Sequence, residues 1–293
     1  MTPVSPMTPA WTMTGFADEI SPDLGEQVAL LAELGIRHIE LRSVQLTKIL
    51  DLTDAELRRI RDALDAAGIA LSCVGSDLGK IRITDPFAPH LERTRRAVEV
   101  ARFFATPRIR VFSFFIPAGE NPARHRDEVI ARTRAMVEVA RDGGATLLHE
   151  NEKEIYGDVP GRVADLLAAV DSPSYRAVFD PANYVQCGVR PMDEAWPLVH
   201  RYTDYIHCKD ARFPVDADDI GEVTPCGEGD GQWPELIAAL KDCGYAGFLS
   251  LEPHLGRFDA YGALSDPESF TRAHAALQTL LARAGVEGDT AVA

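Results

Sequence analysis

Apolar and polar positions along the chain alternate between two rhythms. Short runs of β-like composition sit between longer runs whose apolar residues recur at helical spacing. The runs read as strands are Trp11 to Ala17, Arg37 to Arg42, Ile69 to Val74, Arg108 to Phe115, Thr146 to Glu150, Tyr175 to Asp180, Tyr205 to Lys209 and Phe248 to Glu252. An amphipathic segment follows each one, as in Leu57, Ile60 and Leu64, or Val163, Leu166, Leu167 and Val170. Thr53 with Glu56 three residues on predicts a capping box. Gly35, Gly68, Gly143 and Gly244 fall just past predicted helix ends.

Eight βα units without interruption predict an α/β chain folded as a single closed (β/α)8 barrel over residues 11–284. An irregular arm (1–10) and a flexible tail (285–293) flank it. A doubly wound open sheet would usually have fewer strands and a Gly-x-Gly-x-x-Gly turn opening a helix, and none occurs. The run Gly227-Glu228-Gly229-Asp230-Gly231 reads instead as a turn entering the helix at Trp233-Pro234-Glu235. The 22-residue loop Ala211 to Gln232 and an extended loop after Gly75 lie at carboxyl ends of strands, where barrels shape their sites.

Composition narrows the function. With 45 acidic and 30 basic residues the chain carries a formal charge of -15, which repels phosphate backbones and argues against a nucleic-acid partner. No apolar run approaches a membrane span, and the first residues lack the pattern of a secretory signal, so no membrane association is expected. The five cysteines are odd in number and scattered, which fits reduced thiols and a cytoplasmic location. Barrels of this kind often pair through their helices, so a homo-oligomer is an expectation, although no exposed stripe specifies it.

Four consecutive predicted strands end in a residue able to hold a metal: Glu150, Asp180, His207 and Glu252. Their spacings of 30, 27 and 45 residues each span about one βα unit, so the four side chains converge at one rim. A single acidic strand end can simply cap the next helix. Four together are a different matter, because a buried carboxylate needs compensating charge. Three carboxylates and an imidazole without thiolate suit one divalent ion, manganese first, with magnesium, cobalt or zinc as the others the donor set admits.

Four stretches carry a resemblance: His149-Glu150-Asn151-Glu152, Asp180-Pro181-Ala182-Asn183, His207-Cys208-Lys209-Asp210 and Leu251-Glu252-Pro253-His254. Together they resemble the xylose isomerase-like TIM barrel superfamily, in its sugar phosphate isomerase/epimerase branch, over nearly the whole chain. The resemblance implies that Glu150, Asp180, His207 and Glu252 ligate the metal and that Glu150 and Glu252 double as an acid/base pair. Proton transfer beside a carbonyl needs both: carboxylates to move the proton and a cation to stabilise the enediolate. Direct ligation weakens a carboxylate as a base, so the oxygen of each Glu not on the metal should do the proton work, held by a neighbouring donor.

The expected activity is therefore isomerisation or epimerisation of a keto sugar or related polyol. The alternative on the same scaffold is a lyase or dehydratase that expels a β-hydroxyl or an aglycone. Lys209, two residues after His207, points into the barrel mouth and could bind a substrate oxygen or protonate a leaving group; a buried ion pair with Asp210 or Glu228 is the structural alternative. His254 could act on substrate in the same way. Glu40, Arg42 and Asn183 are candidates for binding sugar hydroxyls. His149 should face away from Glu150, and Trp11, Phe16, Phe112, Phe114 and Phe115 read as barrel packing. The endonuclease branch would need additional histidines: Asn183 stands where one would follow Asp180, and Gly75 and Ser113 offer none. A non-catalytic sugar-binding subunit is the remaining reading, and the presence of all four ligand types argues against it. The lack of a phosphate nest and of basic strand ends favours a neutral small-molecule sugar.

Overall fold

Inward and outward alternation along the strands, interrupted by register shifts at Ile39/Glu40, Val74/Leu78 and Ala177/Val178, sets the architecture of the computed structural model, which describes residues 11–216, 219–256, 258–259, 262–263 and 266–286. The predicted arm and the end of the predicted tail lie outside those residues. Eight strands form one parallel sheet: β1 (Thr12–Gly15), β2 (His38–Leu41), β3 (Ala70–Leu78), β4 (Arg108–Val111), β5 (Thr146–Glu150), β6 (Tyr175–Phe179), β7 (Thr203–Cys208) and β8 (Phe248–Leu251). The order is β1-β8-β7-β6-β5-β4-β3-β2, so β1 pairs with β8 and only the seam between β1 and β2 lacks a ladder. The result is the expected barrel, nearly closed.

The predicted strand positions hold, with two shifts. The fourth strand ends at Val111, short of the predicted Phe115. The third strand runs through Gly75 to Leu78 rather than ending at Val74. Gly79 then turns with φ at +90°, where an added Cβ would stand 2.1 Å from the Phe112 carbonyl oxygen, so this rim position excludes any side chain.

Helices α1 (Leu24–Glu33), α2 (Asp54–Ala67), α3 (Ala88–Phe103), α4 (Arg126–Asp142) and α5 (Pro160–Val170) follow the first five strands. After β6 come two short helices, α6 (Pro181–Gln186) and α7 (Trp196–Val199), and α8 (Trp233–Asp242) and α9 (Pro267–Arg283) complete the ring. The capping box at α2 forms as predicted: Thr53 Oγ1 accepts from Glu56 N, and Thr53 N donates to Glu56 Oε2. Gly68 ends the helix in the left-handed conformation, and Leu57, Ile60 and Leu64 are buried against the barrel. Full burial of each such leucine or isoleucine contributes about 1.5–3 kcal/mol.

Outward residues such as Leu147, Phe179, Ile206 and Leu249 join the helices in one large core. Inward residues Cys73, Leu148, Val178 and Tyr205 plug the barrel below the site. Thr14, Ser72 and Tyr205 satisfy one another within that plug, with oxygen contacts of 2.8 and 3.0 Å. A solid floor of this kind fixes the backbone from which the rim residues project. Among the described residues no helix is long and apolar enough to cross a membrane.

His90 supports the rim from α3. Its Nε2 accepts the Gly79 N–H at 2.7 Å, which requires the neutral ring. Burial pushes its pKa down to about 4, against the pull of Asp77. Since the folded value lies below the ordinary one, this contribution to stability is complete above about pH 6.5 and is lost as pH falls toward 4. Chemical unfolding should therefore show wild type losing up to about 1.4 kcal/mol per pH unit more than His90→Gln across that window. Identical slopes for the two proteins would contradict the account.

Candidate metal and active site

The rim reproduces the predicted convergence. Glu150 ends β5, Asp180 follows β6, His207 lies in β7 and Glu252 follows β8, and all four side chains point inward and are buried. His207 Nδ1 stands 3.3 Å from Glu150 Oε1, 3.3 Å from Glu252 Oε2 and 3.9 Å from Asp180 Oδ2. One donor atom from each of the four lies within 4.8 Å of the others, a grouping that could hold a metal ion. Asp180 answers both readings of an acidic strand end at once: Oδ1 caps α6 by accepting from Asn183 N, while Oδ2 faces the cluster.

The electrostatics fit a resident cation. Neither His207 ring nitrogen has a hydrogen-bond partner of proper geometry, and Nδ1 is aimed among three carboxylates. Burial opposes a charge on His207, yet Glu150, Glu40 and Glu252 push its pKa well above the ordinary range. Burial likewise raises Asp180 to about 6 against the pull of Lys209. Positive charge is what this pocket of carboxylates draws in, and oxygen donors with one imidazole are an apt set for magnesium, manganese, cobalt or zinc.

Glu40 is not where a substrate could reach it, which corrects the expectation that it binds sugar hydroxyls. It is fully buried beneath the cluster, with Oε2 accepting from Ser250 Oγ at 2.7 Å and lying 3.4 Å from His207 Nε2. The residue that ends an inward-facing row one layer lower meets the back of His207 rather than the cavity. A carboxylate behind an imidazole orients the ring and raises its basicity. Glu40→Gln should weaken divalent-metal affinity about 10–100-fold, measured by calorimetry. An unchanged affinity would leave Glu40 with a packing role only.

Asn183, proposed for substrate, lines the cavity but already donates to Glu150 Oε1 (3.1 Å) and to the Asn151 carbonyl (2.9 Å), so it orients Glu150. Arg42 reaches both Asp18 (2.7 Å) and Glu252 Oε1 (3.3 Å) at the cavity wall. Lys209 is buried in an ion pair, as the structural alternative expected, but its partners are Asp180 Oδ2 at 2.8 Å and Glu252 Oε2 at 3.2 Å rather than Asp210 or Glu228. Asp210 points the other way, where its carboxylate accepts N–H bonds of 2.8–3.0 Å from Ala211, Gly227, Gly229 and Gly231. The glycine run thus cradles the chain's own carboxylate and not a nucleotide phosphate.

His254 Nε2 lies 3.3 Å from Glu19 Oε1 and 3.4 Å from Glu252 Oε1. Burial lowers His254 to about 4 and raises Glu19 to about 8, so at neutral pH the imidazole is uncharged and Glu19 holds a proton. His149 faces away from the cavity as expected, buried beside Tyr175. Phe114 is buried as a packing residue, while Phe112, whose ring lies under Lys80 and Arg110, and Phe16, whose ring meets His207 edge-on and lies under Arg42 and Arg110, are also part of the site.

Sequence reading missed Arg110. It is buried on β4, and its NH1 lies 3.1 Å from Glu150 Oε2 and 3.4 Å from Glu252 Oε1. The signal was present in Arg108-Ile109-Arg110-Val111, where alternation turns both arginines inward. A second correction follows, because basic groups are not scarce here. The cavity above the cluster, about 320 Å³, is lined by Arg42, Lys48, Lys80, Arg110 and Lys153.

Comparison with known proteins agrees with the fold. The model of the family described as xylose isomerase-like TIM barrel matches residues 28–279. A 3-dehydroshikimate dehydratase of Bacillus anthracis is 24% identical over 189 residues, and the match spans 60% of this chain and 66% of that relative, just under two thirds of its length. A D-tagatose 3-epimerase-like protein superposes with a TM-score of 0.73 at 15% identity, covering 94% of this chain and 98% of the other. A xylose isomerase-like TIM barrel protein of Mycobacterium smegmatis, in complex with magnesium, gives 0.67 at 18% identity, covering 94% and 98%.

Proposed function

We propose, from the premise that this chain belongs to the xylose isomerase-like TIM barrel family, that it moves a proton beside a carbonyl of a small hydroxylated substrate, as a metal-dependent isomerase or epimerase. The observation that carries this reading is the symmetrical engagement of Glu150 and Glu252. Each presents one oxygen to His207 Nδ1 and its other oxygen to the single NH1 of Arg110. Glu150, Asp180, His207 and Glu252 are the residues that would hold the ion, with magnesium and manganese among the candidates. Bound there, a dication would supply the positive charge that stabilises an enediolate.

The chain's own groups do the rest. Glu150 and Glu252 both line the cavity, their outer oxygens held by the one Arg110 NH1, so one can accept a proton from carbon and the other can return one. Burial opposes ionisation of both, but His207 and Arg110 hold Glu150 below the ordinary range, and Lys209, His254 and His207 hold Glu252 well below it. Both are therefore ionised and able to act as bases at neutral pH. Asn183 and Arg42 fix their orientations, and the 320 Å³ cavity excludes all but small substrates.

A dehydratase is the second reading, favoured by Lys209, a protonated group whose Nζ stands 3.2 Å from Glu252, where a group expelled from the β-carbon would need a proton. The relative that dehydrates 3-dehydroshikimate supports keeping it. Metal-loaded protein incubated in deuterated water with a panel of ketoses and cyclic hydroxy ketones should incorporate deuterium at the carbon beside the carbonyl, read by NMR. Retention of the hydroxyls identifies the isomerase and a new double bond the dehydratase, whereas a panel that neither exchanges nor dehydrates overturns both.

A further inference from the structure

We propose that the substrate of this cavity carries a carboxylate, received at the mouth by Lys48 and Lys80. The inference rests on the reading that the cavity over Glu150 and Glu252 is the reaction site. In the chain as a whole acids outnumber bases by 45 to 30. The cavity reverses the ratio, with five cationic side chains lining it against the four carboxylates of Asp77, Glu150, Glu152 and Glu252.

The excess sits in the outer half. Arg42 and Arg110 are buried and spend their charge on Glu252 and Glu150. Lys48, Lys80 and Lys153 face the opening with side chains 43%, 35% and 34% exposed. Two carboxylates serve these three lysines: Asp77, 2.9 Å from Lys48, and Glu152, 3.2 Å from both Lys80 and Lys153. Asp77 is shared again with Arg93 at 3.3 Å. Lys153 donates also to Gln186 Oε1 at 2.6 Å, but each ammonium has three N–H donors and the carboxylates take one apiece from Lys48 and Lys80, so donors and one positive charge remain for a ligand.

A single surplus charge matches a monoanion better than a phosphate dianion. A phosphate site would also draw on a cradle of backbone amides. The amide cradle formed by Gly227, Gly229 and Gly231 is filled by Asp210. The expectation of a neutral sugar is thereby replaced by a hydroxylated carboxylic acid. Inside a cavity of low effective dielectric, the charge should discriminate strongly against neutral analogues.

D-Glucose, D-glucuronate and D-glucose 6-phosphate present a hydroxymethyl, a carboxylate and a phosphate at the same ring position. Calorimetric titration of magnesium-loaded protein should show D-glucuronate binding at least tenfold more tightly than either of the others. The double variant Lys48→Met/Lys80→Met should lose that preference while its magnesium affinity, which reports an intact rim, stays unchanged. Equal binding of the acid and D-glucose, no binding of the acid, a preference that survives in the double variant, or tighter binding of the phosphate would each overturn the proposal. Loss of deuterium exchange with the charge preference intact defeats only the proton-transfer reading. Exchange without charge preference defeats only this one.

Discussion

Glu252→Gln is expected to reduce turnover by about 10³-fold or more, the size of a lost general acid/base group, and to lower metal affinity in the same protein. The substitution keeps shape and removes charge from a residue that meets five others: Arg42, Arg110, His207, Lys209 and His254. Its Oε2 side loses a donor to the cluster, and its Oε1 side loses a base facing the cavity. The two losses separate experimentally. Raising metal concentration restores the occupancy of a weakened site, so any deficit that persists at saturation reports the missing base. Isotope exchange at the carbon beside the carbonyl should remain depressed there, whereas full recovery of turnover at saturating metal would reduce Glu252 to a ligand and leave proton transfer to Glu150 alone.

How much of this was legible beforehand follows from the period of a strand. Two-residue alternation puts Glu150, His207 and Glu252 on one parity of their strands and Leu147, Ile206 and Leu251 on the other, so sequence spacing alone brings the four donors to one rim. The same rule correctly turned His149 toward the helices. Depth is what alternation does not encode. Glu40 has the right parity, but it stands one layer lower, against His207 Nε2 at 3.4 Å. Parity could not distinguish a residue behind the site from one in front of it. The mouth was harder still, because Lys48 lies on a two-residue hairpin strand and Lys80 and Lys153 on connections whose paths depend on contacts such as Ile83 N to the Phe115 carbonyl and Phe114 N to the Gly79 carbonyl. No local pattern marks them as neighbours.

Arg110 shows the same limit and provides the largest stability effect. Arg110→Met should lower unfolding stability by about 3–5 kcal/mol, the cost of removing one partner from a buried ion pair. The side-chain volume is nearly conserved, so the loss measures charge and not cavity. Among the described residues its NH1 is the one group that contacts the outer oxygens of both Glu150 and Glu252. Without it, the two carboxylates face each other across the cavity with less compensation, and burial then drives at least one of them to take up a proton. Two signatures should accompany the destabilisation. The acid limb of the turnover profile should move to higher pH, because a protonated Glu cannot act as a base until the pH exceeds its raised pKa. Stability should also recover on saturation with a divalent ion, which replaces the missing positive charge and binds only the folded chain. A variant as stable as wild type in the absence of metal, with an unmoved acid limb, would show that Arg42, His207, Lys209 and Asn183 hold the glutamates without Arg110.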